Sequence, residues 1–194
     1  MKATQLRALS VALLTCGLSF PALADWSIDQ NASALHFLST KNAQVTEVHQ
    51  FDSFDGRLSD DGTLTVSVDL SSVNTSIDIR NQRMKDMLFN VSEFAEATFQ
   101  AELPESLTTL APGSQAMSKV DGILSLNGKA VSSSFEVQVT RVDKDTLTVS
   151  TVSPTLIKAE SFGLAEGVAA LQKIAGLNSI TTTVPVTFSV TFTQ

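Results

Sequence analysis

The chain has 194 residues, with 13 Lys and Arg against 20 Asp and Glu, a formal charge of −7 and a pI near 4.7. That length allows one domain or two small ones, and a chain of this size needs no disulfide or metal to hold a core. The acidic balance and the lack of a basic stripe exclude a nucleic-acid binder, while 43% hydrophobic and 17% charged residues exclude a disordered chain.

Residues 1–24 read as an address. Lys2 and Arg7 give a short basic start, and Ala8 to Phe20 form an apolar run. Pro21 breaks that run, and Ala22-Leu23-Ala24 supplies small residues before a cleavage point. This is the build of a secretory signal peptide, cut between Ala24 and Asp25, and its apolar run is short for a membrane span. The expectation is a periplasmic protein whose single domain covers residues 25–194. The one cysteine, Cys16, lies in the leader, and Thr15 before it fits a lipoprotein cleavage box poorly. The mature chain then has no disulfide and no thiol nucleophile.

Beyond the leader the dominant signal is alternation with a period of two, which sends every second side chain to one face of a strand. Asp60-Asp61-Gly62 reads as a turn. After it, Leu64, Val66, Val68 and Leu70 alternate with Thr65, Ser67 and Asp69. Residues 78–89 break the rhythm and predict a helix, with Asp78 as N-cap and Met84, Met87 and Leu88 on one side. Asn127-Gly128 is a strong two-residue hairpin signal. Phe135, Val137 and Val139 alternate with polar residues, as do Leu147 and Val149 after a turn at Lys144-Asp145. Residues 163–175 predict a second helix, with Leu164, Val168, Leu171 and Ala175 as its apolar stripe and Gly176 as its stop. In the last strand Ile180, Val184, Val186, Phe188, Val190 and Phe192 share one parity, and the other is rich in Thr and Ser. About eight strands joined mostly by short turns predict a mainly β protein, an antiparallel barrel or sandwich with two short helices.

Catalytic signatures are absent from the sequence: no nucleophile elbow, zinc-protease helix, phosphate loop or dinucleotide fingerprint. The only histidines are His36 and His49. With Glu47 they are the obvious candidates for a metal set or an acid–base pair. Two imidazoles and one carboxylate are a sparse metal set, and hydrogen bonding to neighbours on a solvated strand face is the simpler reading. The expectation is therefore no catalytic residue and no metal. Arg80, Arg83 and Lys85 are the close basic cluster of the mature chain. They either meet a phosphate or carboxylate headgroup or pair with Asp78, Asp86 or Glu93 at the surface.

Residues 70–99 carry a more specific pattern. Leu70-Ser71-Ser72-Val73-Asn74-Thr75 leads into Arg80-Asn81-Gln82-Arg83, then Leu88-Phe89-Asn90-Val91 and Glu93-Phe94-Ala95-Glu96-Ala97-Thr98-Phe99. Around it stand Trp26-Ser27-Ile28-Asp29, Phe51 to Gly56, Gly122 to Gly128, and Phe162-Gly163. In this order the segments resemble the YceI-like family of exported lipid-binding proteins. The sequence departs from that pattern at Asn81, where Asp is usual, at Arg83, where His is common, and at Ala95, which replaces Pro. Residues 164–178 are also longer and more helical than the family pattern, suiting a lid or a dimer contact.

The resemblance implies an extended, lipocalin-like antiparallel barrel holding an isoprenoid-type tail. Its lining would be the apolar parity: Val66, Val68, Phe99, Phe135, Val137, Val149, Val186, Phe188 and Val190. Met84, Met87 and Phe89 would form an adaptable wall at one end. Arg80 and Arg83 would contact the headgroup. The expected function is a non-enzymatic periplasmic carrier of a polyprenyl phosphate or a quinone tail. No cofactor is expected beyond such a bound lipid or isoprenoid quinone. The compatible partners are a second copy of the chain and a membrane-associated redox or lipid-handling protein. Two alternatives stay open: a partner-binding sandwich with a filled core, and a lipid isomerase or hydratase using His36, His49 or Glu47.

Overall fold

The computed structural model describes residues 25–194, so the leader, Cys16 and the cleavage point lie outside the described residues. Twelve hydrogen-bonded segments form one sheet and join end to end into a closed barrel of eight antiparallel strands. The first three strands and the seventh are each interrupted once. Strand β1 comprises Trp26–Ile28 and Ala34–Lys41, β2 comprises Val45–Phe51 and Phe54–Leu58, and β3 comprises Thr63–Asp69 and Val73–Asn74. Strands β4 (Glu96–Glu102), β5 (Gln115–Leu126) and β6 (Lys129–Arg141) are continuous. β7 comprises Thr146–Thr151 and Thr155–Lys158, and β8 is Thr183–Thr193.

Each strand pairs with the next, and β8 closes the ring on β1 through Ile28↔Phe192 and Phe37↔Val186. Closure removes the free sheet edges. The register confirms the parity reading. Val66 faces Phe99, Phe99 faces Leu124, and Val149 stands between Val139 and Val190. One parity class therefore points inward around the whole ring. Asn127 and Gly128 hold the β5–β6 hairpin with φ of 51° and 70°, the left-handed pair that a two-residue turn of this kind needs.

Helical segments close the two ends. At one end β4 pairs with β5 only over Thr98–Gln100. The detour between them includes helix α2 (Glu105–Thr108), which buries Leu107 against Leu58, Val120 and Val137. At the same end the Arg141 guanidinium lies 4.3 Å from the Trp26 ring centroid, a cation–π contact. At the other end helix α1 (Asp78–Arg83) runs into a π-helical turn, Met84–Phe89. Helix α3 (Ala165–Ile174) packs against that turn. Gly167 permits the approach, because a Cβ there would sit 2.7 Å from the Met87 carbonyl oxygen and 3.0 Å from Leu88 Cα.

Two local expectations are corrected. Ile77, not Asp78, occupies the N-cap of α1, with Asp78 in the first turn. The α-helix predicted over 78–89 ends at Arg83, where the chain widens into i→i+5 bonding. In the wider turn Met84 and Phe89, five residues apart, share the buried face. Met87 is rotated out and is 37% exposed.

Candidate functional site

The inward parity of the eight strands does not fill the barrel. A cavity of about 280 Å³ runs through it, and of the residues lining it only His36 and Thr98 are not apolar. Leu58, Leu103 and Leu107 close one end, and Met84, Leu88, Phe89, Leu164 and Val168 close the helical end. Aromatic rings stiffen the wall: Phe99 and Phe135 pack edge to face with centroids 4.9 Å apart, and Phe188 lies 5.6 Å from Phe135. A smaller hollow of about 120 Å³, lined by Gln30, Gln50 and Asp52 among others, shares Leu35, His36, Phe51 and Phe54 with the cavity. It lies where β1 and β2 are both interrupted, so the wall is thin at that point.

The inward face changes character along β1 and β2. Leu35, Phe37 and Phe51 line the cavity. One step further along the same parity stand Ser39, His49 and Glu47, with Phe37 opposite His49 and Ser39 opposite Glu47. His49 is 4% exposed, and its ring centroid is 5.2 Å from that of Phe37. Its Nε2 is 3.0 Å from Ser39 Oγ, and its Nδ1 is buried with no hydrogen-bond partner in the protein. Burial, and then the nearby Arg80 charge, hold the His49 pKa below 6.5, with Glu47 acting weakly in the opposite sense.

Arg80 reaches this place from α1. Its guanidinium donates to Glu47 Oε2 at 2.9 Å and to the Thr75 carbonyl at 2.6 Å. Its Nε is buried without a partner. Lys41 Nζ donates to the same Glu47 oxygen at 2.7 Å. That hydrogen bond and the Arg80 charge keep the Glu47 pKa below its ordinary value despite partial burial. Asn81 fixes the loop before α1: its Oδ1 accepts from the Thr75 backbone N–H at 2.8 Å and from the Thr75 hydroxyl at 2.6 Å.

A family model for the YceI-like domain matches residues 26–192. The chain belongs to the YceI-like family. Among solved structures, the chain is similar to a polyisoprenoid binding domain from Saccharophagus degradans implicated in plant cell wall breakdown. The identity is 37%, the TM-score is 0.83, and the match covers 87% of this chain and 97% of that one. BcnA of Burkholderia cenocepacia shares the fold at 19% identity and a TM-score of 0.67, with 84% and 98% of the two chains covered. The YceI protein of Campylobacter jejuni shares it at 13% identity and a TM-score of 0.55, with 100% and 99% covered. No curated protein sequence matches the chain.

Within this YceI-like barrel, Val66, Val68, Met84, Phe89, Phe99, Phe135, Val137, Val149, Val186, Phe188 and Val190 all line the cavity. Met87 is the exception, for the reason given by the π-helical turn. Arg80 and Arg83 do not converge. Arg80 is half-buried in the polar cluster, whereas no side-chain partner of Arg83 is found among the described residues. Arg80 pairs with Glu47 on a distant strand rather than with Asp78, Asp86 or Glu93 on its own segment. The three metal candidates are also separated. His36 pairs with Gln50 on the outward parity and borders both the small hollow and the cavity where the wall is thin, while Glu47 and His49 face inward. The solvated-face reading of Glu47 and His49 is thereby corrected. Reading the parity of β2 backward from Phe51 was the signal that placed them inside.

Proposed function

We propose that this YceI-like protein binds the long apolar tail of an isoprenoid-type lipid inside its barrel and carries or sequesters it in the periplasm. The observation that carries the reading is the 280 Å³ cavity with an almost wholly apolar wall. Such a space gains affinity by removing ligand surface from water, at about 25 cal/mol per Å². The likeness to a polyisoprenoid binding domain at 37% identity supports the ligand class. The leader-like composition of residues 1–24 supports export. Such a carrier needs a membrane-associated protein to supply or receive the lipid.

One observation bears on catalysis: His49 faces inward with a depressed pKa. Its Nε2 is engaged by Ser39, the Phe37 ring lies beside it on the cavity side, and no carboxylate orients its Nδ1. His49 is not among the residues lining the cavity, and a general base needs contact with its substrate, so we assign it no catalytic role.

The test is native mass spectrometry of the mature protein purified from its exported compartment, followed by extraction of the bound molecule. A stoichiometric adduct with the mass of a polyprenyl or quinone lipid is expected. A bare protein that stays bare when isoprenoids are added refutes the reading.

A further inference from the structure

Apolar side chains stand exposed on the outer side of the segment that closes the helical end. Met84 and Phe89 turn inward to the cavity, and Met87 is turned out. Ile79, Arg83 and Met87 follow one another at intervals of four, so they lie along one side of α1 and the π-helical turn. Ile79 is 59% exposed. On α3, Gly167, Leu171 and Ile174 share a face by helical spacing. Gly167 lies against the turn, Leu171 packs on the cluster that contains Met84 and Phe89, and Ile174 ends that face 48% exposed. A single exposed apolar residue is ordinary, and Met117 on β5 is one. Here several are brought to one end of the barrel, on the two helices that cover the cavity.

Ile77 adds to them at a position where local stability would favour another residue. It occupies the N-cap of α1, is 46% exposed, and makes no side-chain hydrogen bond to the helix. Ser, Thr, Asp or Asn would cap the helix better there. Ser76 before it holds φ at 60°, a left-handed conformation that a residue with a Cβ adopts at a cost. A local rule broken without a gain inside the fold points to a surface role. The charges match that role. Arg83 and Lys85 lie on the same segment, Lys173 lies beside Ile174, and no side-chain partner of these three is found among the described residues. Of the nearby acids, Asp86 is engaged by Gln82, Asp78 sits in the first turn of α1, and Glu166 lies at the opposite end of α3 from Lys173. The far end of the barrel is acidic by contrast: Asp60, Asp61, Glu105, Asp143 and Asp145 stand in its turns and on α2.

We propose that the helical end docks on an anionic lipid bilayer, with Ile77, Ile79, Met87 and Ile174 entering the acyl boundary and Arg83, Lys85 and Lys173 at the level of the lipid phosphates. Aliphatic tips flanked by long cationic side chains are the chemistry of a membrane interface: the tips leave water, and the cations stay at the headgroups. An anionic surface attracts the cations of this end and repels the acidic far end, so it orients a chain whose net charge is negative. A two-fold pairing with a second copy would set the same cations against each other. The surface stands on its own residues and does not depend on what the barrel holds.

The test is flotation of the mature chain with vesicles of phosphatidylcholine alone and of phosphatidylcholine mixed with phosphatidylglycerol, at low and high salt. Binding to the mixed vesicles is expected to be at least tenfold tighter than to the neutral ones and to weaken with salt, since each cation near an anionic surface contributes about fivefold. Arg83→Glu should weaken it at least fivefold. Ile79→Gln and Met87→Gln should each weaken it about fivefold through lost apolar burial, and Met117→Gln should leave it unchanged. Arg83→Glu is the deciding variant if an apolar one does not fold. Equal binding to both vesicles, binding to neither, or a loss with Met117→Gln as large as with Met87→Gln overturns the proposal. So does sedimentation showing a dimer that Arg83→Glu or Met87→Gln dissolves while vesicles stay unbound, which assigns the surface to a second copy. Isoprenoid loading, read in parallel by native mass spectrometry, should be the same in all variants. Loading without vesicle binding refutes the docking surface alone, and vesicle binding without loading refutes the isoprenoid reading alone.

Discussion

Filling the cavity from its own wall separates an open barrel from a packed one by the sign of the stability change. Val149 lies mid-barrel on β7, between Val139 and Val190, and lines the cavity. Both neighbours are buried, whereas Val149 keeps partial exposure. Its position on the inward face directs that exposure into the cavity. Val149→Phe adds a ring that occupies about 50 Å³, and at about 24 cal/mol per Å³ of cavity removed this returns about 1 kcal/mol. The available 280 Å³ accommodates it. In urea denaturation, the delipidated variant should therefore be more stable than the delipidated parent by about 1 kcal/mol with an unchanged m-value. The same ring displaces tail atoms. Excluding two methylene equivalents weakens a lipid by about 1.6 kcal/mol, or more than tenfold. Native mass spectrometry against a fixed isoprenoid reads that loss. Over-packing a filled core costs about 1–3 kcal/mol instead. A destabilised Val149→Phe, or one that loads lipid as well as the parent, refutes the cavity argument.

Three further outcomes follow from the polar cluster and the helical end. Because His49 is held neutral below pH 6.5, the unfolded chain binds its proton first as pH falls. Stability due to this group should decline from about pH 6.5 down to its lowered folded pKa. His49→Gln should flatten that part of the curve in denaturation midpoints measured from pH 7.5 to 5, and an unchanged pH dependence would contradict the assignment. Glu47 acts in a lower window, its contribution being lost as pH falls below 4.5 through its depressed value. Arg80→Ala leaves the Thr75 carbonyl without its donor and Glu47 with Lys41 alone and should cost about 1–3 kcal/mol by thermal melting, whereas Arg83→Ala should stay within about 0.5 kcal/mol. Equal effects would show that Arg80 is no more embedded than its neighbour. Gly167→Ala pushes a methyl into the Met87 carbonyl and Leu88. It should cost about 1–3 kcal/mol and speed lipid release in stopped-flow exchange, and a variant with parental stability and off-rate would show that the two helices do not need their close contact.

Most of the barrel was legible because alternation is a local property. Val66, Phe99, Val149 and Val190 each sit in short runs whose parity survives any detail of pairing. Asn127-Gly128 needs a left-handed turn wherever it occurs. The interruptions were not legible. The breaks in β1 and β2 are set by how the strands bend to close the ring, which involves residues far apart in sequence. The π-helical turn escaped for a related reason. A period of 3.6 groups Met84 with Met87 and Leu88, and only docking against α3 reveals the wider spacing that selects Phe89 and rejects Met87.

The polar end shows where single-residue chemistry misleads and register corrects. Taken by type, Glu47, His49 and Lys41 are surface residues, and Arg80 is a helix-surface cation. Taken by parity, Ser39 and Lys41 continue the inward face of Leu35 and Phe37, and His49 and Glu47 continue that of Phe51. The same geometric rule that builds the apolar wall thus carries its polar terminus, and the change of character falls between adjacent cross-strand pairs. Leu35 pairs with Phe51, Phe37 with His49, and Ser39 with Glu47. His49 Nδ1 and Arg80 Nε are buried there without a protein partner, an unmet hydrogen-bonding capacity that a simply filled apolar core would not carry.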